Sequence, residues 1–204
     1  MPKILQLTIL LTGLLSVSAH ADPILINFDP VAQTTELGNQ VSVDVTADAG
    51  GQVDLFGPVV IAVYDLIVNW DSTLLSLADV MFGGSLGDSG LGESLQGTVP
   101  GTGMVNVAEV SLLFDFTGLQ DGSVFTLFTL VFDTLDVGTS SLDISDPIVG
   151  DFAGLPLEAV LGTGSIEITE RTVAVAEPGT LLLFMTGLLA IRSVRRRSWQ
   201  VICG

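Results

Sequence analysis

The side chains that could carry out chemistry in the central part of this 204-residue chain are almost all carboxylates. All 23 acidic residues fall between Asp22 and Glu177, whereas the single histidine, His20, and the single cysteine, Cys203, lie near the two ends. A stretch without Cys or His has no disulfide framework, no zinc site of the usual type and no nucleophilic triad with a histidine base. Two kinds of chemistry remain, namely acid–base catalysis on a glycoside and binding of a calcium ion.

The acidic residues do not single out either kind of chemistry. No spacing among them distinguishes a catalytic pair, so the sequence predicts that the protein is not an enzyme. Asp143, Asp146 and Asp151 lie close together in a loop-like stretch and are candidate calcium ligands, although the EF-hand pattern is absent. Aspartate is also common in turns, because its side chain bonds to the nearby backbone. We therefore expect no cofactor, with calcium as the alternative.

The charge of the chain is concentrated in the same stretch. Residues 22–177 contain 23 acidic residues and the single base Arg171, a net charge of −22. Nucleic acid is a poor partner for such a surface, and so is anionic lipid. A hydrophobic content of 48% argues against a disordered acidic tail. The composition is that of one folded domain that its charge keeps soluble.

The first 21 residues have the pattern of a signal peptide. Lys3 precedes an apolar stretch over residues 4–17, and the small residues Ala19 and Ala21 fit the cleavage site of signal peptidase. The pattern predicts export, with a mature chain that begins at Asp22.

A second apolar segment, residues 181–191, lies near the C-terminus and precedes a cluster of arginines. As a helix, residues 178–191 would be about 21 Å long, which is shorter than the roughly 30 Å hydrocarbon core of a bilayer. We therefore predict a short transmembrane helix. Basic residues stay on the cytoplasmic side, so the acidic domain before the helix faces outward, as the signal peptide also requires.

This arrangement resembles the PEP-CTERM sorting signal over residues 174–197. The resemblance implies processing by an exosortase, a membrane peptidase that removes the anchor and releases or transfers the protein to the cell surface or medium. Ala176 replaces the first proline of the motif, so whether the anchor is cleaved stays open. The residues assigned to the sorting signal are Glu177, Pro178, Arg192, Arg195, Arg196 and Arg197.

Between the two end segments the periodicity is that of β-strands. Apolar and polar residues alternate over residues 41–48 and again over 166–169, which predicts strands with one buried face. Residues 59–70, 104–114 and 124–132 are apolar at most positions, and we predict central strands that are buried on both faces or covered by loops.

Glycine-rich turns separate these runs, and many short strands joined in this way favour an all-β sandwich or jelly roll. Residues 71–78 suit either a helical turn or a strand. The Gly- and Ser-rich residues 83–103 are predicted to form a long mobile loop. The predicted organisation is a signal peptide (1–21), a β-sandwich (22–172) and a sorting segment (173–204).

Several of these strands resemble the cohesin-like family of jelly-roll domains. The resembling segments are residues 64–75, 125–132, 137–140 and 164–168. The resemblance implies a nine-stranded sandwich and either binding of dockerin modules or a relation to carbohydrate-binding domains. No residue here corresponds to a known dockerin-recognition position.

These observations predict an exported surface or extracellular-matrix protein with a non-catalytic interaction or structural role. Its partners are signal peptidase and exosortase during processing, and then a protein or an exopolysaccharide at the cell surface. Carbohydrate binding is the alternative function, but Tyr64 and Trp70 lie on the same strand face as apolar residues and are predicted to belong to the core.

Overall fold

A computed structural model describes residues 23–49, 53–54, 57–120 and 124–171 of the chain. These residues form thirteen strands and one turn of 3-10 helix, Ser89–Leu91. The strands are β1 (Ile24–Asp29), β2 (Ala32–Glu36), β3 (Gln40–Asp48), β4 (Val53–Asp54), β5 (Gly57–Pro58), β6 (Val63–Asn69), β7 (Leu75–Phe82), β8 (Ser94–Gly101), β9 (Met104–Ser111), β10 (Val124–Thr134), β11 (Gly138–Gly150), β12 (Ala159–Leu161) and β13 (Thr163–Thr169).

The strands form two main sheets. One sheet has five strands in the order β12-β1-β3-β10-β7, and the other has six in the order β2-β13-β11-β6-β9-β8. Most neighbours are antiparallel, but β1 pairs with β12 and β2 with β13 in parallel. The first part of the chain therefore contributes one strand to each sheet, and both of these strands pair with strands from its last part. The prediction of an all-β sandwich is confirmed.

The inward-facing side chains of both sheets form one hydrophobic core. Phe28, Tyr64, Phe128 and Phe132 are the largest side chains that are completely buried. The rings of Tyr64 and Phe128 stack with their centroids 5.8 Å apart, so this contact joins the two sheets. The alternation predicted for residues 41–48 is confirmed, because every second residue of β3 points into this core.

For the strongly apolar strands, the first of the two predicted alternatives, burial on both faces, is wrong. Burial alternates along β6, where Val63 and Ile67 remain partly exposed on the outer face. It alternates in the same way along most of β9. In a two-layer sandwich only the inner face of each sheet meets a partner sheet, so apolar residues at outward positions stay in contact with solvent.

The prediction of a long loop over residues 83–103 is also wrong for the second half of this segment. Residues Ser94–Gly101 form β8, an edge strand whose eight residues pair in register with β9. An edge strand needs little hydrophobic alternation, and this one contains two glycines and a proline, which is why it was not recognised. Of the two alternatives for residues 71–78, the structure has a turn followed by the strand β7.

Both predicted end segments lie outside the described residues. This applies to the signal peptide (1–21), with its cleavage-site residues Ala19 and Ala21, and to the C-terminal helix (181–191) with the sorting residues around it. Within the described ranges, no helix has the length and apolar character needed to cross a bilayer. The domain boundaries at residues 22 and 172 stay predictions.

Candidate interaction surface

The outer face of the six-stranded sheet carries exposed apolar side chains. Leu95 and Val99 on β8 are 62% and 66% exposed, and Ile148 on β11 is 61% exposed. Leu95 pairs with Val110 on β9, which in turn pairs with Val63 on β6, so apolar side chains run in a line across three strands. Contiguous exposed apolar surface of this kind is typical of interaction sites.

The polar side chains on this face bond to one another across strands. The amide nitrogen of Asn106 donates to the carboxylate of Asp65, and Asn69 Nδ2 donates to Ser145 Oγ at 3.0 Å. These contacts link β9 to β6 and β6 to β11, so they hold the strands of the exposed face in register.

A groove of about 390 Å³ lies where this face ends, between the segment that follows β9 and the loop that follows β11. Two phenylalanines flank it, with Phe114 99% exposed and Phe152 55% exposed. The groove is lined by Ala62, Val63, Val110, Ser111, Leu112, Leu113, Phe114, Asp151, Phe152 and Gly154. Its lining is mainly apolar, which suits an apolar ligand group better than a charged one.

Asp151 shapes the loop on one side of the groove. Its Oδ1 atom accepts hydrogen bonds from the backbone N–H groups of Ala153 and Leu155 at 2.9 and 2.7 Å. The backbone N–H of Asp151 also donates to the carbonyl of Leu155 at 3.0 Å. These bonds close a compact turn and set the position of Phe152 within it.

Gln120 holds the loop on the other side. Ile61 donates its backbone N–H to Gln120 Oε1 at 2.9 Å, and Gln120 Nε2 donates to the carbonyls of Ile61 and Ser85 at 2.7 and 3.0 Å. The Gln120 side-chain amide therefore accepts from the backbone N–H of Ile61 and donates to its carbonyl, which is the pairing that a neighbouring β-strand would provide. It fixes the end of the segment that contains Phe114 against the body of the sandwich.

The structure does not bring the predicted calcium ligands into one cluster. The carboxylate of Asp151 is used in its own turn, and Asp146 has a positive φ of 49° at an irregularity in β11. Asp143 lies further along β11, opposite Asn69 and Thr163. Across the ranges described, no group of three or more His, Cys, Asp or Glu side chains is placed to hold a metal ion. Calcium binding remains an untested prediction.

Tyr64 and Trp70 lie where the sequence predicts, among the residues of the core. Trp70 Nε1 donates to the carbonyl of Leu75 at 3.0 Å, and its ring meets Phe132 edge-on at 5.1 Å. Tyr64 is completely buried. The Tyr64 ring is therefore closed to a sugar, whereas Trp70 is partly buried and lines a second groove of about 260 Å³ with Ser72, Ser76 and Thr102.

Tyr64 belongs to a small polar network inside the sandwich. Its hydroxyl lies 3.0 Å from Glu109 Oε2 and 3.2 Å from the Leu127 carbonyl, both of which accept from it. Gln96 Nε2 donates to the other oxygen of Glu109 at 2.8 Å. Burial raises the pKa of Tyr64 well above its usual value, and the Glu109 carboxylate raises it further. Tyr64 and Glu109 are both fully buried, so their hydrogen bond lies inside the sandwich, whereas Gln96 on the edge strand β8 is exposed.

Of the residues that line the groove, the sequence analysis singled out only Asp151 for a functional role, as a candidate calcium ligand. Phe114 ends a run that was predicted to be a buried strand, whereas in the structure it follows β9 and is almost fully exposed. The one available signal was the change after Leu113, where Phe114 and Phe116 alternate with Asp115 and Thr117 in a segment that leads to Gly118.

Comparison with known proteins agrees with both resemblances noted in the sequence. Residues 174–197 match the PEP-CTERM protein-sorting motif. No curated protein matches the sequence.

The sandwich is similar to solved cohesin structures. CaCohA2 from Clostridium acetobutylicum is 18% identical, and the similarity covers 74% of this chain and 94% of that one with a TM-score of 0.54. The sixth cohesin of Acetivibrio cellulolyticus scaffoldin B, solved in complex with a Cel5 dockerin mutant, is 18% identical and covers 72% and 98%, with a TM-score of 0.53. A non-cellulosomal cohesin from the archaeon Archaeoglobus fulgidus is 16% identical and covers 74% and 92%, also with a TM-score of 0.53.

At these identities the structural similarity establishes the fold alone. The protein is therefore a cohesin-like β-sandwich. Its chain also carries a PEP-CTERM sorting motif after the sandwich.

Proposed function

We propose that this protein is exported to the cell surface, where its cohesin-like sandwich binds a protein partner without catalysing a reaction. The single observation that carries the binding role is the exposed apolar surface of the six-stranded sheet, with the groove at its end. Soluble domains rarely keep such a surface without using it, because exposed apolar area favours association. The fold supports the same role, since one similar cohesin was solved in complex with a dockerin.

The sorting motif supports the proposed route to the surface. Signal peptidase cuts after Ala21, and the C-terminal helix then holds the chain in the membrane with its acidic domain outside. An exosortase recognises Glu177 and Pro178 and removes the anchor, although Ala176 departs from the usual motif.

Carbohydrate binding receives less support from the geometry. Tyr64 is completely buried, Trp70 packs against the core with part of its surface exposed, and the groove between Phe114 and Phe152 offers mainly apolar side chains. A sugar needs hydrogen-bond partners for its hydroxyl groups, and among the residues that line the groove only Ser111 and Asp151 have polar side chains.

Intact-mass measurement on cell-surface and medium fractions of the native host tests the route. We expect a species that begins at Asp22 and has lost residues 181–204. A mass that retains this segment would mean a permanently anchored protein and would remove the exosortase step. Pull-down by the exopolysaccharide of the host, with no protein partner found by cross-linking in cells, would replace the proposed function with the alternative.

A further inference from the structure

The groove between Phe114 and Phe152 is built in advance of any ligand. The Asp151 turn positions one wall, and the Gln120 amide anchors the segment that forms the other. Its floor is also fixed, because Ser111 donates its backbone N–H to the Ala62 carbonyl at 2.8 Å. The backbone around the groove therefore needs little ordering when a partner side chain enters, which favours binding, whereas the exposed ring of Phe114 is ordered only by the partner.

The two phenylalanines suit an apolar anchor. Phe114 exposes nearly its whole ring, and Phe152 exposes more than half of its side chain. Aromatic side chains that are buried in such pockets supply a large share of the binding energy at protein interfaces. Val110 on β9 and Leu112 directly after β9 extend the apolar surface from the groove toward the edge strand β8.

The charges near the groove are acidic. Asp115 directly follows Phe114, and hydrogen bonds from Thr117 lower the pKa of its carboxyl group, so Asp115 stays ionised. Glu93 lies beside the same wall, since its backbone carbonyl accepts from Leu112 at 2.7 Å. Arg171 is the only basic residue in the part of the chain that the structure describes.

The acidic charge around the groove favours some binding partners over others. A second copy of the domain would bring two strongly acidic surfaces together, and like charges at an interface oppose association. A basic partner is favoured by the same field, which also speeds its encounter with the domain.

We propose that the groove receives a large apolar side chain from a protein segment whose flanking residues are lysine or arginine. The apolar side chain lies between Phe114 and Phe152, and the flanking bases lie against Asp115 and Glu93. This inference rests on the proposed protein-binding function and names the surface and the partner chemistry.

Site-specific photo-cross-linking of the full chain in its native host tests the inference. A photo-reactive residue is introduced in four separate variants, Phe114→benzoylphenylalanine, Phe152→benzoylphenylalanine, Val99→benzoylphenylalanine and Met81→benzoylphenylalanine. Val99 reports on the open face of the six-stranded sheet. Met81 is an exposed apolar residue on β7 of the other sheet and serves as the matched control. Cross-linked peptides are sequenced by mass spectrometry.

We expect cross-links from positions 114 and 152 to peptides in which an apolar residue is flanked by Lys or Arg, and none from position 81. Adding Asp115→Lys to the position-114 variant should reduce the cross-linking yield about tenfold. The introduced lysine would repel the partner's lysine or arginine that is expected to lie against Asp115. Equal yields with and without this change would overturn the charge argument.

The remaining outcomes separate the inference from the proposed function. Protein cross-links from position 99 alone would overturn the inference and leave protein binding by the sheet face standing. Cross-links from position 114 to a second copy of this chain, or to polysaccharide, would also overturn it. The absence of any protein cross-link at all four positions, in protein exported at the normal level, would count against both the inference and the proposed protein-binding function.

Discussion

The buried hydroxyl of Tyr64 makes stability at alkaline pH depend on one proton. The usual pKa of a tyrosine is 10.0, and burial beside Glu109 raises it in the folded state. As pH rises past 10, the unfolded chain loses the tyrosine proton while the folded chain keeps it. The stabilisation is therefore fully present below pH 10 and is lost as pH rises toward the raised folded-state pKa.

A fragment of residues 22–171 isolates this effect. It contains Tyr64 as its one tyrosine and has no Lys, Cys or His, while Arg171 stays protonated throughout the range. One proton corresponds to a loss of about 1.4 kcal/mol in the free energy of unfolding per pH unit above 10, or about 2 kcal/mol between pH 8 and 11.5. At neutral pH, Tyr64→Phe should cost about 1–3 kcal/mol, because Glu109 loses a hydrogen-bond donor.

Urea denaturation of the wild-type fragment and of Tyr64→Phe between pH 8 and 11.5 measures both quantities. We expect the difference in stability between them to shrink by about 2 kcal/mol as pH rises. Val68→Ala also weakens the core but keeps the tyrosine, so it should show the same pH slope as the wild type. Parallel curves for wild type and Tyr64→Phe would refute the reasoning. So would tyrosinate absorbance that appears in the folded fragment near pH 10.

Three further predictions concern the loops and turns. Gln120→Ala should lower the free energy of unfolding by about 1–3 kcal/mol, because the buried backbone of Ile61 loses its partners; an unchanged urea midpoint would show that other contacts hold the loop. Gly83→Ala should cost about 1–3 kcal/mol, because the added methyl would overlap the backbone of β10; Gly84→Ala, with open space around it, is the control and should unfold at nearly the wild-type midpoint. A calcium chelator should leave the melting temperature unchanged, because no group of three or more His, Cys, Asp or Glu side chains in the described residues is placed to hold a metal ion; a lower melting temperature would instead establish a metal site.

Local patterns predicted some of the strands that have one buried and one polar face. They missed β11, which alternates in this way over residues 138–144 and contains Asp143 and Asp146, although those residues were predicted to lie in a loop. The alternation in residues 41–48 and 166–169 corresponds to β3 and β13, whose apolar residues point into the core. β8 escaped prediction because an edge strand is held by pairing with its neighbour, so its sequence does not need a hydrophobic period.

The hydrogen bonds among Tyr64, Glu109 and Gln96 could not be predicted from local sequence patterns, for a related reason. Glu109 lies on an apolar strand and meets Tyr64 of β6 and Gln96 of β8 only because three strands pair in one register. Sequence separations of 45 and 13 residues divide Glu109 from these two partners, and no short-range pattern links them.

The amino-acid sequence by itself determined the sorting motif over residues 174–197, the acidic charge of the domain and its all-β class, and it carries the prediction of an export signal. Those properties depend on composition and on periodicity within single segments. The tertiary structure alone decided that Phe114 and Phe152 flank one groove, because the segments that follow β9 and β11 meet only after the strands have paired. The tertiary structure also decided which apolar residues remain exposed, because burial depends on whether a second layer covers a face.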